Sequence, residues 1–439
     1  MPDINRSLKM QDRGKSSIPG MTQLLSKRPD MFSLGVWPGY YSKAKGALVW
    51  DLDGNEYLDM SISAIGASVL GYCDPDVDGA VIEAIRGGVV SSLNCPEEVE
   101  LAELLCDVHP WAQMARFTRS GGEAMAVAVR IARAHTGRDK VAFCGYHGWH
   151  DWYLAANVGT ENALGEHLIS GLDPRGVPKG LSGTALPFRF NRVEELKVIV
   201  DSHRDDLAAV ILEPIRNDEP QREFVEAVRD LASHAGAVLV VDEISSGFRL
   251  NSGGAHLLYG YEPDMAVFSK AMGNGYPIGA VIGRAEVMES AQRTFISSTC
   301  WTERTGFAAA LATIRKHRAL NAAEHLCRMG RMVQEGWKEL LNKHSIDAHV
   351  SGIYPMSHVD FQGPLSRHMK AFYVQEMLER GILASNLFYA MLAHQDQHVD
   401  RYLKAADEVL RLMRQLMESN RLEDSLLGQP SQVGFKRLN

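Results

Sequence analysis

Three residues with reactive side chains each follow a short apolar segment that is typical of a buried strand. Glu213 comes after Val-Ile-Leu, Asp242 after Leu-Val-Val, and Lys270 after Val-Phe-Ser. Segments with helical spacing of apolar residues separate these strands, which favours a mostly parallel sheet with helices on both faces. Ligands of such sheets bind beyond the carboxyl ends of the strands, so we expect the three side chains to share one site.

Lys270 and Asp242 each have a chemical and a structural interpretation. Lys270 precedes the glycine-rich stretch 271–279, which lets other groups approach closely. A lysine at such a strand end can condense with an aldehyde, although most lysines are solvated surface charges. Asp242 can keep the ring nitrogen of a pyridine protonated, or it can form a structural ion pair, for example with Arg249.

Two loops add candidates for ligand binding. Ser120, Gly121 and Gly122 precede a predicted helix, where backbone N–H groups suit a phosphate. Ser120 can equally be a simple N-cap, with Glu123 as its capping-box partner. Tyr146 lies on a glycine-flanked loop, where it can stack on a flat heteroaromatic ligand or simply fill the loop.

A phosphate-binding loop, a stacking ring, a carboxylate for a ring nitrogen and a Schiff-base lysine are the parts that hold pyridoxal 5'-phosphate. We therefore predict this cofactor, with Lys270, Asp242 and Tyr146 as catalytic residues. His147 and His150 have the spacing of some metal pairs, but no third ligand accompanies them, and we predict no metal site.

The composition is that of an enzyme-sized globular protein. Of its 439 residues, 45% are hydrophobic and 23% charged, and the formal net charge is -8, which disfavours nucleic acid and anionic membranes as partners. The six cysteines form no C-x-x-C pair, and no apolar run is long enough for a signal peptide or a membrane span. We expect a cytoplasmic protein that acts on small molecules.

The pattern of elements predicts an α/β fold in three segments. Residues 1–60 are predicted to form an N-terminal arm and part of a small lobe, 61–305 a large cofactor-binding domain, and 306–439 a C-terminal small domain. The first stretch of the arm lacks clear periodicity, so we expect it to be irregular.

In their order and spacing, these motifs resemble the class III aminotransferases of the fold-type I pyridoxal phosphate family, with the glutamate-1-semialdehyde aminomutase branch closest. The resemblance covers nearly the whole chain. Its main segments are Asp51-Leu52-Asp53-Gly54-Asn55, Ser120-Gly121-Gly122-Glu123-Ala124, Tyr146-His147-Gly148, Glu213-Pro214, Asp242-Glu243-Ile244 and Ser269-Lys270.

The resemblance implies an α/β fold-type I transferase, which has a large domain whose mostly parallel sheet is covered by helices and a smaller α+β lobe built from both termini. It also implies a role for each matching residue. Lys270 would form the Schiff base with the cofactor, and Asp242 would pair with the pyridine nitrogen. Ile244 would pack on the ring face opposite Tyr146.

The resemblance also implies which residues bind the phosphate of the cofactor and how the subunits assemble. Ser120, Gly121 and Gly122 would bind the phosphate, and Thr299 matches a position that offers a hydroxyl to the phosphate of the neighbouring subunit. A homodimer with shared active sites is therefore implied.

The chain departs from the family pattern mainly where substrate is recognised. Arg119 stands where the family usually has asparagine, and Trp301-Thr302-Glu303-Arg304 replaces the usual Ser-Gly-Asn-Pro. Arg119 and Asn217 are our candidate substrate contacts. Glu213 is a candidate cofactor-binding residue that either holds a loop or contacts substrate.

These observations predict a pyridoxal phosphate-dependent aminotransferase that moves an amino group from a small-molecule donor to an aldehyde or ketone acceptor, with sugar-like acceptors among the candidates. One alternative is an aminomutase that moves the amino group within a single substrate of the glutamate-1-semialdehyde type. A more remote alternative is a regulator that binds the cofactor without turnover.

Overall fold

The computed structural model of the chain describes residues 2–160, 162–165, 167 and 171–434. Within these ranges the strands, in chain order, are β1 (Tyr41–Lys45), β2 (Leu48–Asp51), β3 (Glu56–Asp59), β4 (Met114–Thr118), β5 (Lys140–Cys144), β6 (Ala185–Pro187), β7 (Leu207–Leu212), β8 (Val238–Asp242), β9 (Met265–Phe268), β10 (Gly279–Gly283), β11 (Ala348–Ser351), β12 (Met356–Phe361), β13 (Ile382–Leu383) and β14 (Leu387–Tyr389).

The helices, several of which are single turns, are α1 (Asn5–Ser17), α2 (Ser63–Gly66), α3 (Pro75–Arg86), α4 (Pro96–Val108), α5 (Gly121–Thr136), α6 (Asp151–Leu154), α7 (Val193–His203), α8 (Arg222–Ala235), α9 (His256–Tyr259), α10 (Ala285–Met288), α11 (Arg304–Ala319), α12 (Ala322–Lys343), α13 (Ser366–Glu379) and α14 (Asp396–Glu418). No helix in the described ranges combines the length and the apolar composition needed to cross a bilayer.

The chain forms two compact units. One spans Pro75–Ala323, and the other combines the chain up to Asp74 with the chain from Glu324 onward. These limits differ from the predicted boundaries at residues 60 and 305. The difference at the second boundary arises because α11 packs against α3 and α4 and therefore belongs to the larger unit.

The larger unit contains a seven-stranded sheet with the strand order β4-β10-β9-β8-β7-β5-β6. Neighbouring strands from β9 to β6 are parallel, and β10 is antiparallel to both β9 and β4. Strands β7, β8 and β9 are buried along their whole length. The structure thus confirms the predicted mostly parallel sheet.

Helices cover both faces of this sheet. Val240 of β8 belongs to an apolar cluster with α5, whereas Leu239 and Val241 belong to a cluster with α7 and α8. Successive residues of a strand point to opposite faces, so a strand buried between two helical layers needs apolar residues at every position. This requirement explains the continuous apolar runs before the reactive residues.

The smaller unit contains a four-stranded sheet, β1-β2-β3-β13, and a three-stranded sheet, β11-β12-β14. Strands β2 and β3 form a hairpin, and its turn is held by Asp51 Oδ1, which accepts from the backbone N–H groups of Asp53 and Asn55 at 2.9 Å. Strand β13 joins the same sheet parallel to β3, so both ends of the chain contribute to this unit.

The prediction of an irregular N-terminal arm was wrong for Asn5–Ser17, which form α1. The face of α1 that is buried consists of Ser7, Gln11 and Gly14, so apolar periodicity carries no signal there. Asp53 accepts from the backbone N–H groups of Arg6 and Ser7 at 2.7 and 2.9 Å, and this cap comes from a distant part of the sequence.

Candidate active site

The ends of four adjacent parallel strands bring the predicted reactive residues to one edge of the sheet. Lys270 follows β9, Asp242 ends β8, Glu213 follows β7 and Tyr146 follows β5. These strands are consecutive neighbours in the order β9-β8-β7-β5, and their carboxyl ends face the same way. The order of the sheet therefore gathers side chains that lie far apart in the sequence.

Lys270 opens a short turn, Lys270–Gly273, in an unusual backbone conformation. Its φ angle is 42°, in the left-handed region that is rare for residues other than glycine. Nζ donates to Ser245 Oγ at 2.8 Å. Burial lowers the pKa of Lys270 to about 8, and the positive charge of Arg216 acts in the same direction. The amine is thereby closer to its neutral, nucleophilic form.

Asp242 is buried and has two defined partners. Its Oδ1 accepts from the backbone N–H of Ile244 at 3.0 Å, and its Oδ2 lies 2.7 Å from His147 Nδ1. The other ring nitrogen, Nε2, lies 3.1 Å from the carbonyl oxygen of Cys144. His147 therefore lies between Asp242 and the end of β5, and its ring fixes the position of the Asp242 carboxylate.

Helix α5 begins with a complete capping box. Ser120 Oγ accepts from Glu123 N at 3.4 Å, and Glu123 Oε2 accepts from Ser120 N at 3.0 Å. The N–H groups of Gly121 and Gly122 come next, and no described residue accepts a hydrogen bond from them. The N-cap and the predicted phosphate-binding role of residues 120–122 are thus compatible, because the cap leaves two backbone N–H donors for an anion.

Ile244 contacts this helix N-terminus closely. A Cβ atom placed on Gly121 would lie 2.9 Å from Ile244 Cδ1, and one on Gly122 would lie 3.0 Å from the ring of His150. Glycine at both positions therefore allows these side chains to approach the backbone. Ile244 also donates its N–H to Asp242 Oδ1, so one residue contacts both Gly121 and Asp242. A phosphate donor set, an acid for a ring nitrogen and a lysine amine at adjacent strand ends fit pyridoxal phosphate.

The loop that carries Tyr146 is fixed by Glu213. Glu213 Oε2 accepts from Tyr146 N at 3.0 Å and from Arg216 Nη1 at 2.8 Å. Gly145 has a φ of 114°, and a Cβ atom there would lie 2.6 Å from the same oxygen. Burial raises the pKa of Tyr146, whose ring packs edge-on against Tyr153 at 5.8 Å between centroids. Glu213 therefore holds the Tyr146 loop.

The family-specific sequence model for Aminotransferase class-III matches residues 35–410. The chain belongs to the class III aminotransferases. It is an enzyme of this family, and its cofactor is pyridoxal 5'-phosphate, as in a similar transaminase structure with the cofactor bound, which is 26% identical and has a TM-score of 0.83. The resemblance stated from the sequence motifs is confirmed, and so is the predicted cofactor.

Curated relatives of this aminotransferase act on different substrates. The chain is 30% identical over 419 residues to the 3-aminobutyryl-CoA aminotransferase of Cloacimonas acidaminovorans, covering 93% of this chain and 96% of the relative. It is 32% identical over 387 residues to the 2'-deamino-2'-hydroxyneamine transaminase of Streptomyces kanamyceticus, covering 86% and 91%. It is 32% identical over 430 residues to the glutamate-1-semialdehyde 2,1-aminomutase of Chlorobaculum parvum, covering 92% and 98%.

Among solved structures, the aminotransferase resembles an omega-transaminase from Sphaerobacter thermophilus. The TM-score is 0.80 at 27% sequence identity, and the match covers 92% of this chain and 97% of the other. The fold is therefore that of known transaminases over nearly its whole length.

Arg119 of this aminotransferase binds a neighbouring loop. Its Nε donates to the carbonyl oxygen of Cys300 at 2.7 Å, and its Nη2 donates to the carbonyl oxygens of Trp301, at 3.1 Å, and of Glu303. The guanidinium also lies 4.9 Å from the ring centroid of Phe307. These contacts join Arg119, which precedes the predicted phosphate-binding residues, to the turn Thr299–Thr302. A substrate contact of Arg119 stays a prediction.

Asn217 and Thr299 are exposed. Thr299 begins the short turn Thr299–Thr302. The predicted contacts of these two residues, with substrate and with the phosphate of a neighbouring subunit, stay predictions.

Three residues of the aminotransferase site were missed by sequence reasoning: His147, Ser245 and Arg216. His147 was considered only as a metal ligand, and Ser245 lies in the same loop as Ile244. Arg216 could have been predicted from the sequence. It lies three residues after Glu213, on a loop that was already expected at the site, and it adds a positive charge there.

Proposed function

We propose that this aminotransferase exchanges amino groups between small amines and carbonyl acceptors through Lys270 Nζ. The observation that carries the proposal is the position of Lys270 beside the buried Asp242–His147 pair, at consecutive strand ends. A lysine whose pKa is lowered by burial and a fixed carboxylate are the two groups that this exchange requires of the protein.

Each residue has a defined task in this proposal. Pyridoxal phosphate, when bound, supplies an aldehyde that condenses with amines and a ring that accepts electrons. Lys270 would hold that aldehyde through Nζ, and the same amine, once free, would accept the proton that the substrate carbon loses and move it to another position within the site. Asp242, held by His147, keeps a proton on the ring nitrogen. Gly121 and Gly122 bind the phosphate through their N–H groups.

Two flanking side chains complete the proposed site. Tyr146 and Ile244 would hold the ring from opposite sides and so limit its motion during proton transfer. The support for this arrangement is that both loops are fixed: Tyr146 N donates to Glu213, and Ile244 N donates to Asp242.

The experiment that tests the proposal follows the colour of the purified enzyme. Protein loaded with pyridoxal phosphate should be yellow, and borohydride should fix the cofactor to the peptide that contains Lys270. Amines should then bleach the yellow band, and a carbonyl acceptor should restore it. Lys270→Ala should lose the covalent link, while Lys370→Gln is the matched control, because burial also lowers the pKa of Lys370 to about 8.

Two results would decide against the proposal. A colourless protein that takes up no cofactor contradicts it outright. A yellow protein that no amine bleaches supports the alternative of a cofactor-binding regulator without turnover.

The aminomutase is the second candidate, supported by the similarity to glutamate-1-semialdehyde 2,1-aminomutases. The two reactions differ in whether an external amino donor is needed. Isomerisation of an amino aldehyde by the cofactor-loaded enzyme, with no other amine present, would assign the aminomutase. A strict need for a separate donor and acceptor would assign the aminotransferase, and sugar-like acceptors belong in that screen because of the neamine transaminase relative.

The homodimer and the cytoplasmic location are part of the same proposal. Large apolar side chains are exposed at Phe295, Leu93 and Trp149, to 85%, 82% and 69%, as expected of surfaces that a second subunit would cover. The cysteines of the chain are free thiols, as in a reducing compartment. Light scattering of the purified enzyme tests the dimer, and a monomer at micromolar concentration would contradict it.

A further inference from the structure

The amine of Lys270 has one hydrogen-bonding partner in the described part of the chain. Nζ donates to Ser245 Oγ at 2.8 Å, and the proposed reaction assigns no task to that hydroxyl. The Ser245 hydroxyl forms no second hydrogen bond with any described residue. The two groups therefore face each other without competition from the described side chains around them.

The turn that carries Ser245 is held on both sides of this residue. The preceding residue, Ile244, donates its N–H to Asp242 Oδ1 at 3.0 Å. The following residue, Ser246, donates its hydroxyl to the buried Glu243 carboxylate at 2.6 Å. A serine side chain has one torsion between heavy atoms, so a fixed backbone leaves the Ser245 hydroxyl few positions.

The lysine side chain has much more freedom than the serine. Its four-carbon stem gives the free amine many rotamers, and a hydrogen bond from a fixed turn selects among them. The cofactor and the substrate both react with this one nitrogen atom, so its position decides whether it meets the reacting carbon. A fixed partner for Nζ therefore bears directly on the rate of reaction.

A hydroxyl suits an amine that changes its protonation state. It accepts a hydrogen bond from the ammonium form and donates one to the lone pair of the neutral form. A carboxylate in the same place would favour the ammonium and work against the burial that lowers the pKa of Lys270 to about 8. Ser245 can thus hold the nitrogen in both states without fixing its charge.

We propose that Ser245 is a positioning residue for Lys270, and that its hydroxyl holds the free amine where it attacks the cofactor aldehyde and later takes the substrate proton. The attack forms a C=N bond to Nζ and releases water. The hydroxyl is therefore needed before this bond forms and again after another amine displaces Nζ. The role in proton transfer rests on the proposed aminotransferase function, whereas the role in cofactor capture does not depend on it.

The first test uses the apoprotein and requires no turnover. Stopped-flow absorbance after mixing Ser245→Ala with pyridoxal phosphate gives its capture rate as a function of pH. The plateau rate at high pH should fall about ten-fold, because the neutral amine is no longer oriented. The midpoint of the profile should move to lower pH, because a buried ammonium without its acceptor loses its proton more readily.

The direction in which the midpoint moves separates positioning from a structural role. A substitution that opened the site to water would raise the midpoint toward 10.5, the ordinary pKa of lysine. Ser245→Thr retains the hydroxyl and should keep the plateau rate and the midpoint of the wild-type protein. Ser233→Ala is the matched control, since the exposed Ser233 Oγ accepts from the cationic Arg229 at 3.0 Å on α8, and its loss should change neither value.

Three results overturn the proposal. It fails if Ser245→Ala captures the cofactor with the wild-type plateau and midpoint, if its midpoint rises, or if Ser245→Thr is as slow as Ser245→Ala. Ser245→Gly also removes the hydroxyl and keeps the test decisive if Ser245→Ala does not fold. Circular dichroism of each apoprotein checks the fold.

A second measurement follows the substrate proton. L-Alanine, β-alanine and 2-aminopropane, each with hydrogen or deuterium on the carbon that bears the amino group, are mixed with the cofactor-loaded enzyme. With every amine that bleaches the yellow band, Ser245→Ala should be about ten-fold slower than the wild type. The deuterium isotope effect should be at least as large as in the wild type, because proton transfer is the slowed step. Wild-type rates or a lost isotope effect would contradict the role in proton transfer.

The positioning role and the aminotransferase function fail in different ways. If no amine bleaches the band but Ser245→Ala lowers both the plateau and the midpoint of capture, the aminotransferase proposal fails and the positioning role stands. If amines bleach the band and Ser245→Ala captures the cofactor as the wild type does, the positioning role fails alone.

Discussion

His147 Nδ1 lies 2.7 Å from Asp242 Oδ2, and the two side chains are 0% and 3% exposed. A buried carboxylate that loses its hydrogen-bonding partner keeps the cost of desolvation without the compensating contact. The pair therefore fixes the position of the acid that is proposed to face the ring nitrogen.

We predict that His147→Ala lowers the free energy of unfolding by about 3 kcal/mol and also lowers kcat, because Asp242 loses its partner. Denaturant unfolding and single-turnover bleaching measure the two effects. His256→Ala is the matched control, since His256 forms an equally buried pair with Glu243 at 2.7 Å. If both variants lose the same stability and the same kcat, then His147 acts only on folding.

The lowered pKa of Lys270 predicts how cofactor capture depends on pH. The neutral amine is the nucleophile, so the capture rate should fall about ten-fold per pH unit below 8 and level off above it. A solvated lysine would give a midpoint near 10.5 instead. Stopped-flow absorbance after mixing apoprotein with pyridoxal phosphate gives the profile. Lys370→Gln should leave the midpoint unchanged, and a midpoint above 10 would contradict the proposed environment of Lys270.

The close contact between Gly121 and Ile244 predicts that a substitution of Ile244 can partly compensate for one of Gly121. Gly121→Ala should cost about 1–3 kcal/mol and weaken cofactor affinity, because the new methyl group would lie 2.9 Å from Ile244 Cδ1. Adding Ile244→Val removes that atom and should restore part of both losses. Gly79→Ala is the control for adding a methyl group to a helix, since nothing lies within 4 Å of that position. If the double variant has the same stability and cofactor affinity as Gly121→Ala, the contact with Ile244 Cδ1 is not the cause of the losses.

Arg119 offers a test between its observed loop contacts and its predicted contact with substrate. We predict that Arg119→Ala lowers stability by about 2 kcal/mol and weakens cofactor affinity, because three backbone carbonyl groups lose a charged donor. Thermal unfolding and fluorescence titration with pyridoxal phosphate measure these changes. Arg318→Ala, which breaks an exposed pair with Asp107, is the control. A raised KM with unchanged cofactor affinity would instead indicate that Arg119 contacts substrate.

The parts of the fold that follow from local pattern could be predicted from the sequence. Strands β7, β8 and β9 are apolar at every position, and burial between two helical layers is the reason. Glu213, Asp242 and Lys270 could be predicted as site residues because each follows one of these apolar runs in the sequence. The N-terminal helix could not, because its buried face contains Ser7 and Gln11 and its cap is supplied by Asp53.

The partners within the site depend on strand order, which local pattern does not contain. His147 follows β5 and Asp242 ends β8, and β7 lies between these strands. Their contact therefore arises only when β5, β7 and β8 are assembled. The Arg216–Glu213 pair is local in sequence, but the contact of Glu213 with the N–H of Tyr146 forms only when β5 and β7 pair.

The assembly of the site from consecutive strand ends has a consequence for folding. Because Tyr146, Asp242 and Lys270 follow different strands, no fragment that lacks one of these strands possesses the full cofactor site. Pyridoxal phosphate should therefore bind the native protein and not partly folded chains. Because a ligand that binds only the native state stabilises it, the cofactor should raise the free energy of unfolding. The yellow colour of this enzyme would then report on completed folding as directly as it reports on chemistry.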